Sequence, residues 1–144
     1  DVLGVGSRRE LAGDHAGHQR IEAIADPVLR ARARHVVTEI ERVLDVTAEL
    51  ANTGPAHERF VDIGKQLYRS HASLEVDFEA STAEQNLAVD TAFACGALGA
   101  RLVGAGFGGS ALAFVRRAEA DAVARRIDEA FGERGLERPR FLMV

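Results

Sequence analysis

Glycines are concentrated in one short stretch of this chain. Six of its fourteen glycines lie between Gly96 and Gly109, in the sequence GALGARLVGAGFGG. Glycine tolerates positive φ and allows another group to approach the backbone closely. The flanking segments are apolar, and the run Ala111–Val115 that follows has the length of a strand. The stretch therefore predicts a backbone-lined loop that connects two ordered elements.

Three glycines of this loop, Gly104, Gly106 and Gly109, fit the dinucleotide-binding pattern G-x-G-x-x-G. In that pattern a helix must follow the loop, because its N-terminus meets the pyrophosphate. Here a strand is predicted after the loop, so the dinucleotide interpretation fails. A Walker-type phosphate loop fails as well, since it needs a lysine after its last glycine and Lys65 is the only lysine. A hairpin whose glycines serve only turning and close packing stays open as an alternative.

Hydrophobic periodicity predicts two long helices in the first half of the chain. The first begins at Asp26, a good N-cap, with Pro27 in the first helical position. It ends at the turn Asn52–Pro55, which contains glycine and proline. The second covers about residues 56–72. Because the turn is tight, we expect the two helices to form an antiparallel hairpin.

The second half alternates strands and helices. A third helix opens at Ser81 and Glu84, which we interpret as a capping box, and it ends near Gly96. After it, a strand, the glycine loop, a strand, a helix and a last strand are predicted, at about residues 100–104, 105–109, 110–116, 118–133 and 138–144.

This order of elements indicates an α+β fold, a small and mainly antiparallel sheet with helices packed on it. Ala111–Val115 is apolar on both faces, which predicts a central strand covered on both sides. The length suits one domain over residues 1–144. Within it, we expect 26–144 to form the core and 1–25 to be a poorly defined lead-in, with short helical turns at about 7–11 and 20–25.

Polar residues in the first third of the chain are interpreted as structural or solvated. Two histidines beside one aspartate in a glycine-bearing segment are a weak metal signal, and a solvated loop is the better interpretation. The arginines near the start of the first long helix are expected on its solvated face, and His35 is expected in a structural role. The residues concerned are Asp14, His15, His18, Arg30, Arg32, Arg34 and His35.

Composition excludes two classes of partner. The net charge is −4 and no basic stripe is interleaved with aromatic residues, so a nucleic-acid surface is not expected. No apolar run approaches the roughly 20 residues that span a bilayer, so no membrane partner is expected. Cys95 is the single cysteine and forms no disulfide within the chain, which agrees with a cytoplasmic location.

The two ends of the sequence suggest a part of a longer protein. The chain begins at Asp1 without methionine and ends within the apolar segment Phe141–Val144. We therefore expect a domain that is incomplete at its N-terminus. A missing first strand would leave an open sheet edge, which is a template for self-association or for docking of a partner.

Three segments together resemble the GHMP small-molecule kinases, in their galactokinase form. The glycine segment Gly99–Ser110 is similar to the third motif of that family. Ser70–Ser81, which begins Ser-His-Ala-Ser-Leu, is similar to a second family stretch. Asp26–Glu39 is similar to the helix that carries Arg-Ala-x-His-Val. The resemblance covers the chain from about Asp26 to its end.

The resemblance implies a ferredoxin-like C-terminal domain that shares a cleft with an N-terminal kinase domain. The implied reaction transfers the γ-phosphate of ATP, with Mg²⁺, to the anomeric hydroxyl of galactose or a related monosaccharide. No catalytic or metal-binding residue is expected here, ATP and Mg²⁺ are expected mainly on the N-terminal domain, and the chain alone is expected to be inactive. The glycine loop 104–109 is expected to line the phosphate-transfer cleft, and the residues expected to bind the nucleotide are Arg101, Gly104, Gly106, Phe107, Gly108, Gly109 and Ser110.

Other interpretations stay open beside this one. A structural salt bridge is an equal alternative for Arg101, and Ser70 and His71 are interpreted as structural. Phe78 stands where the family pattern has tyrosine, and the segment 82–86 departs from Cys-Pro-Glu-Leu-Asp, so the sugar is left open. The alternative for the whole chain is a non-catalytic, ferredoxin-like ligand-binding or regulatory module.

Overall fold

The computed structural model describes residues 11–144, so the predicted turn at 7–11 lies outside the described residues except for Leu11. Helices precede a hairpin of two strands, and a further helix follows it. The elements are α1 His15–Glu22, α2 Pro27–Ala51, α3 Ala56–Val76, α4 Ala83–Ala94, β1 Gly99–Val103, β2 Ser110–Phe114, a 3₁₀ turn Arg117–Glu119 and α5 Ala120–Glu133.

The predicted helical hairpin is confirmed. Asp26 caps α2, because one of its carboxylate oxygens accepts hydrogen bonds from the amides of Val28 and Leu29 at 2.8 and 3.0 Å. The helix ends at Asn52, as the turn signals predict, and α3 packs back along α2. However, α3 continues to Val76, four residues beyond the predicted end, which brings its last turn close to the segment before α4.

The segment before α2 is more ordered than a solvated loop. Residues 15–22 form a helix, and Asp14 caps it by accepting from the amides of Ala16 and Gly17. His18 lies 2.7 Å from Glu41 of α2, so the loop interpretation of these residues is wrong. Apolar side chains from this segment are buried against α2 in a small cluster of Leu11, Ile21, Ile24, Ala33 and Val37.

The sheet is smaller than the sequence predicts. β1 and β2 pair antiparallel, with register from Gly99 opposite Phe114 to Val103 opposite Ser110. Within residues 11–144 β2 has no other strand neighbour and Ser110–Leu112 is exposed, so the prediction of a covered central strand is wrong. The prediction of a last strand is also wrong, since residues 138–144 have no regular secondary structure. An apolar run becomes a strand only where a neighbour accepts its backbone hydrogen bonds.

The larger core lies between the sheet and the last two helices. α4 and α5 pack on each other, and α4 also packs on both strands. α5 contributes an apolar stripe at the helical period, as predicted. The buried side chains of this cluster are Leu87, Val89, Ala92, Ala97, Ala100, Val123, Ile127 and Phe131.

Helix α3 approaches β1 backbone to backbone. A Cβ on Gly64 would lie 1.9 Å from the carbonyl oxygen of Leu98, and a Cβ on Gly99 would lie 2.6 Å from Gly64. Tyr68 adds a hydrogen bond of 3.0 Å from its hydroxyl to the carbonyl oxygen of Ala97. This contact holds α3 along the strand that leads into the glycine loop.

Candidate functional site

The glycine loop adopts backbone angles that side chains rarely allow. Gly104, Gly106, Gly108 and Gly109 have φ of 92°, 83°, 119° and 90°, and Phe107 has 57°. A non-glycine residue at positive φ is uncommon and requires support from its surroundings. The Phe107 side chain projects from the loop and is 76% exposed. The sequence therefore predicted the loop correctly, and its glycines are required by conformation.

The segment before α4 holds the loop in place. The amide of Phe107 donates to the carbonyl oxygen of Ala80 over 2.6 Å. Gly106 lies so close that a Cβ there would be 2.4 Å from the same oxygen. Gln85 of α4 donates through Nε2 to the carbonyl oxygen of Gly108 at 2.8 Å and to that of Ser110 at 3.4 Å.

Sequence reasoning missed Gln85. The capping box of α4 consists of Thr82 and Gln85, one residue later than the predicted pair Ser81 and Glu84. The hydroxyl of Thr82 accepts from the Gln85 amide at 3.3 Å, and Oε1 of Gln85 accepts from the Thr82 amide at 3.1 Å. Both pairs satisfy the capping-box pattern Ser/Thr-x-x-Glu/Gln. The sequence therefore contained the pattern that identifies Gln85, but it could not distinguish between the two pairs.

The loop leaves part of its backbone free to meet a ligand. A Cβ added to Gly104, Gly108 or Gly109 would meet no atom within 4 Å. Within residues 11–144 the amides of Gly108 and Gly109 donate to no other residue. Free backbone amides in an exposed glycine turn suit an anion such as a phosphate.

Arg101 forms a salt bridge behind the loop. Its guanidinium donates to Glu39 of α2 at 2.8 Å and to the carbonyl oxygen of Leu102 at 3.0 Å. Glu39 also accepts from the Ser70 hydroxyl and pairs with Arg42 at 2.9 Å. Burial raises the pKa of Glu39, but the Ser70 hydrogen bond and the two arginines outweigh it and leave that pKa lowered. Arg101 thus has the structural role that was one of its two interpretations, and its contact with a nucleotide stays a prediction.

The arginines at the start of α2 are not a solvated face, so that prediction is wrong. Arg32 donates to the carbonyl oxygen of Asp77 and to the carboxylate of Glu79. Arg34 pairs with Glu22 and with Asp77, each at 2.9 Å. These bonds join α2 to α1 and to the segment that ends at Ala80. The partners are far away in sequence, and helical periodicity carries no information about them.

Two buried histidines support the same region. His71 of α3 accepts the Leu102 amide on Nδ1 at 3.2 Å, at the edge of β1 that does not face β2. His35 lies 3.0 Å from the Ser73 hydroxyl, and its ring stacks against Phe78 with 4.6 Å between centroids. Burial lowers the pKa of both imidazoles. The structural interpretation of His35 and His71 is therefore confirmed.

These two histidines predict that the chain loses stability in mild acid. Their pKa values in the folded state lie below the ordinary 6.5, so the unfolded state binds protons first as the pH falls. Their contribution is complete above pH 6.5 and is lost below it, toward the folded pKa. We expect the free energy of unfolding in urea to fall by roughly 1 kcal/mol or more between about pH 7.5 and pH 5.5.

In the variant His35→Gln/His71→Gln, the free energy of unfolding should change less with pH over that interval, even if the variant is less stable at every pH. His57→Gln, on an exposed position of α3, is the matched control and should keep the slope of the unaltered chain. An unchanged slope in the double variant would show that other groups cause the acid sensitivity.

Two further observations concern metals and membranes. Among residues 11–144, no three or more His, Cys, Asp or Glu side chains come together in a way that could hold a metal ion. In the same residues, no helix combines the length and the apolar character that crossing a membrane requires.

Comparison with known proteins places the fold and the loop in one family. The family model described as GHMP kinases C terminal matches residues 47–133. A galactokinase of Streptomyces coelicolor is 49% identical over 112 residues, covering 78% of this chain and 28% of that protein. A galactokinase of Mycobacterium tuberculosis is 41% identical over 137 residues, covering 95% of this chain and 36% of that protein.

A solved structure agrees with these matches. The galactokinase of Lactococcus lactis, crystallised with galactose, superimposes with a TM-score of 0.78 at 31% identity, over 92% of this chain and 33% of that one. The chain thus spans about a third of the length of the relatives it matches. It belongs to the GHMP kinase family, as a C-terminal domain of the galactokinase type.

Proposed function

We propose that this chain is the C-terminal part of an enzyme that transfers the γ-phosphate of ATP to the anomeric hydroxyl of galactose or a related monosaccharide. The observation that carries the proposal is the glycine loop. Ala80 and Gln85 bind its backbone, whereas the amides of Gly108 and Gly109 have no partner within residues 11–144. Relatives with 41–49% identity are galactokinases.

The loop suits the chemistry of phosphoryl transfer, which depends on positioning and on stabilisation of negative charge. Because the glycines have no side chains, a phosphate oxygen can approach the loop to within hydrogen-bond distance of a backbone amide. The guanidinium of Arg101 is already paired with the carboxylate of Glu39. We therefore assign Arg101 a structural role at the base of the loop. Together, Gly104 to Ser110 would line the phosphate-transfer cleft.

The glycine loop fits the phosphates of ATP, for which it offers backbone donors. The free amides supply donors to phosphate oxygens, whereas residues 11–144 contain no cluster of metal ligands. Following the match to the C-terminal domain of galactokinases, we assign the ligands of Mg²⁺, the catalytic residues and most contacts to the sugar to an N-terminal kinase domain. A cytoplasmic enzyme fits this proposal, because Cys95 makes no disulfide within the chain.

A domain exchange tests the proposal. In a chimaera, this chain replaces the matching segment of the Streptomyces coelicolor galactokinase, and ADP release is measured with Mg-ATP and a panel of hexoses. We expect turnover that depends on galactose or on a close relative of it. The isolated chain should release no ADP with any sugar.

The host enzyme with its own segment serves as the reference for folding and activity. A chimaera that folds like the host but phosphorylates no hexose would contradict the proposal and favour a non-catalytic binding module. Sugar-dependent turnover by the isolated chain would contradict the assignment of catalytic residues to another domain.

A further inference from the structure

Gln85 has an unusual position for a polar side chain. It lies in the first turn of α4 and is only 4% exposed. A buried carboxamide requires partners for its oxygen and for its two N–H groups. Here the oxygen accepts from the Thr82 amide, while the nitrogen reaches the carbonyl oxygens of Gly108 and Ser110. One side chain therefore joins the start of α4 to the glycine loop.

We propose that Gln85 is a positioning residue that aims the Gly109 amide at the phosphates of the nucleotide. The inference rests on the proposed function and adds to it a residue outside the glycine motif. A trans peptide unit is planar, and its C=O and N–H point in opposite directions. Because the Gly108 carbonyl is held toward Gln85, the amide of Gly109 points away from α4, where it has no partner within residues 11–144.

The second anchor of the loop completes this arrangement. The Phe107 amide is held by Ala80, so the Gly106–Phe107 and Gly108–Gly109 peptide units are both fixed from residues 80–85, one on each side of the Phe107–Gly108 unit. Glycines at positive φ have wide conformational freedom, and without such anchors the loop would sample other orientations of its amides. Gln85 thus reduces the conformational freedom that the loop would otherwise lose on binding a phosphate.

The chemistry of the side chain separates this role from helix capping. A glutamate at position 85 would keep the acceptor for the Thr82 amide but, when ionised, would have no donor for the loop. Its charge would also face two carbonyl oxygens. A methionine would remove both functions at similar volume. Thr82→Ala removes one bond of the capping box and leaves the donors of Gln85 in place.

The kinetic test uses the chimaera described above with three variants. We expect Gln85→Met and Gln85→Glu to raise KM for ATP about tenfold with little change in kcat, because a hydrogen bond that fixes the binding site is lost. Thr82→Ala should lower the melting temperature and leave KM for ATP unchanged. A protonated glutamate regains one donor. The ratio of KM for ATP in Gln85→Glu to KM for ATP in the parent should therefore fall toward one as the pH is lowered.

A second readout needs no activity. In the full 144-residue chain, the exchange rate of the Phe107 amide is measured by NMR, since this amide bonds to Ala80 only while the loop is docked. Gln85→Met and Gln85→Glu should accelerate this exchange about tenfold, and Thr82→Ala should not.

The outcomes separate this inference from the proposed function. Unchanged KM and unchanged exchange in both Gln85 variants would overturn the inference, and so would an equal rise of KM in Thr82→Ala. If the parent chimaera has no turnover, the proposed function fails. In that case the exchange rate of the Phe107 amide alone decides whether Gln85 anchors the loop. Faster exchange in the Gln85 variants would support the anchoring, and unchanged exchange would refute it.

Discussion

Replacing Gly64 by alanine is expected to cost about 3 kcal/mol or more of unfolding free energy, a large share of what a small domain has. The new Cβ would lie 1.9 Å from the carbonyl oxygen of Leu98 and 2.4 Å from its carbonyl carbon. These are backbone atoms of the turn into β1, so no side-chain rotation can relieve the overlap. α3 must move away from the sheet, and the buried bond from Leu102 to His71 is then stretched. Urea unfolding measures the loss.

Gly132→Ala is the matched control for that substitution. Gly132 is also a helical glycine, but its Cβ would meet only the flexible guanidinium of Arg138, at 3.1 Å. Alanine is the better helix former by about 1 kcal/mol, so this variant should be as stable as the parent or more stable. Equal effects of the two substitutions would contradict the backbone contact between α3 and β1.

The hairpin of α2 and α3 was predictable because its signals are local. Asp26 and Pro27 mark one end of α2 and the turn Asn52–Pro55 marks the other, and the apolar period between them is long. Caps and turns act over a few residues, so sequence suffices to place them. The predicted end of α3 at residue 72 had no helix breaker to support it, and the helix continues to Val76.

The sheet was predictable only in part. β1 and β2 were placed within two residues of their observed ends because both flank an unmistakable glycine loop. The environment of β2 depends on neighbours that the sequence of the strand does not specify. An apolar run such as Ala111–Val115 is typical of a strand covered on both sides, yet three of the five residues of β2 are exposed in the part of the chain that the structure describes.

The candidate site divides in the same way. The glycines were enough to predict the loop, but the sequence did not predict the residues that hold the loop in place. Gln85 contacts Gly108 across 23 residues, and Arg101 contacts Glu39 across 62. Hydrogen bonds of such sequence separation are decided by tertiary packing, and a single sequence has no periodic signal for them. Glu39 lies at the end of the motif segment Asp26–Glu39, and only the fold makes it the common acceptor for Ser70, Arg101 and Arg42.

The second large effect is expected for Gly106→Ala in the chimaera, with kcat/KM for ATP reduced about a hundredfold. Gly106 combines φ of 83° with a Cβ position 2.4 Å from the Ala80 carbonyl oxygen. Alanine must therefore push the loop off its anchor, and displacements of about 1 Å at a reacting centre cost about a hundredfold. Steady-state kinetics with Mg-ATP measures the effect, and thermal unfolding checks that the fold survives.

Gly104→Ala separates the cost of backbone strain from the cost of that contact. Gly104 has a similar φ of 92°, but a Cβ there would meet no atom within 4 Å. Positive φ alone costs alanine about 1–2 kcal/mol, which limits the expected loss of kcat/KM to about tenfold. If both variants lose activity equally, strain alone explains the glycines. If Gly106→Ala is the more active of the two, the docking of the loop on Ala80 has no part in nucleotide binding.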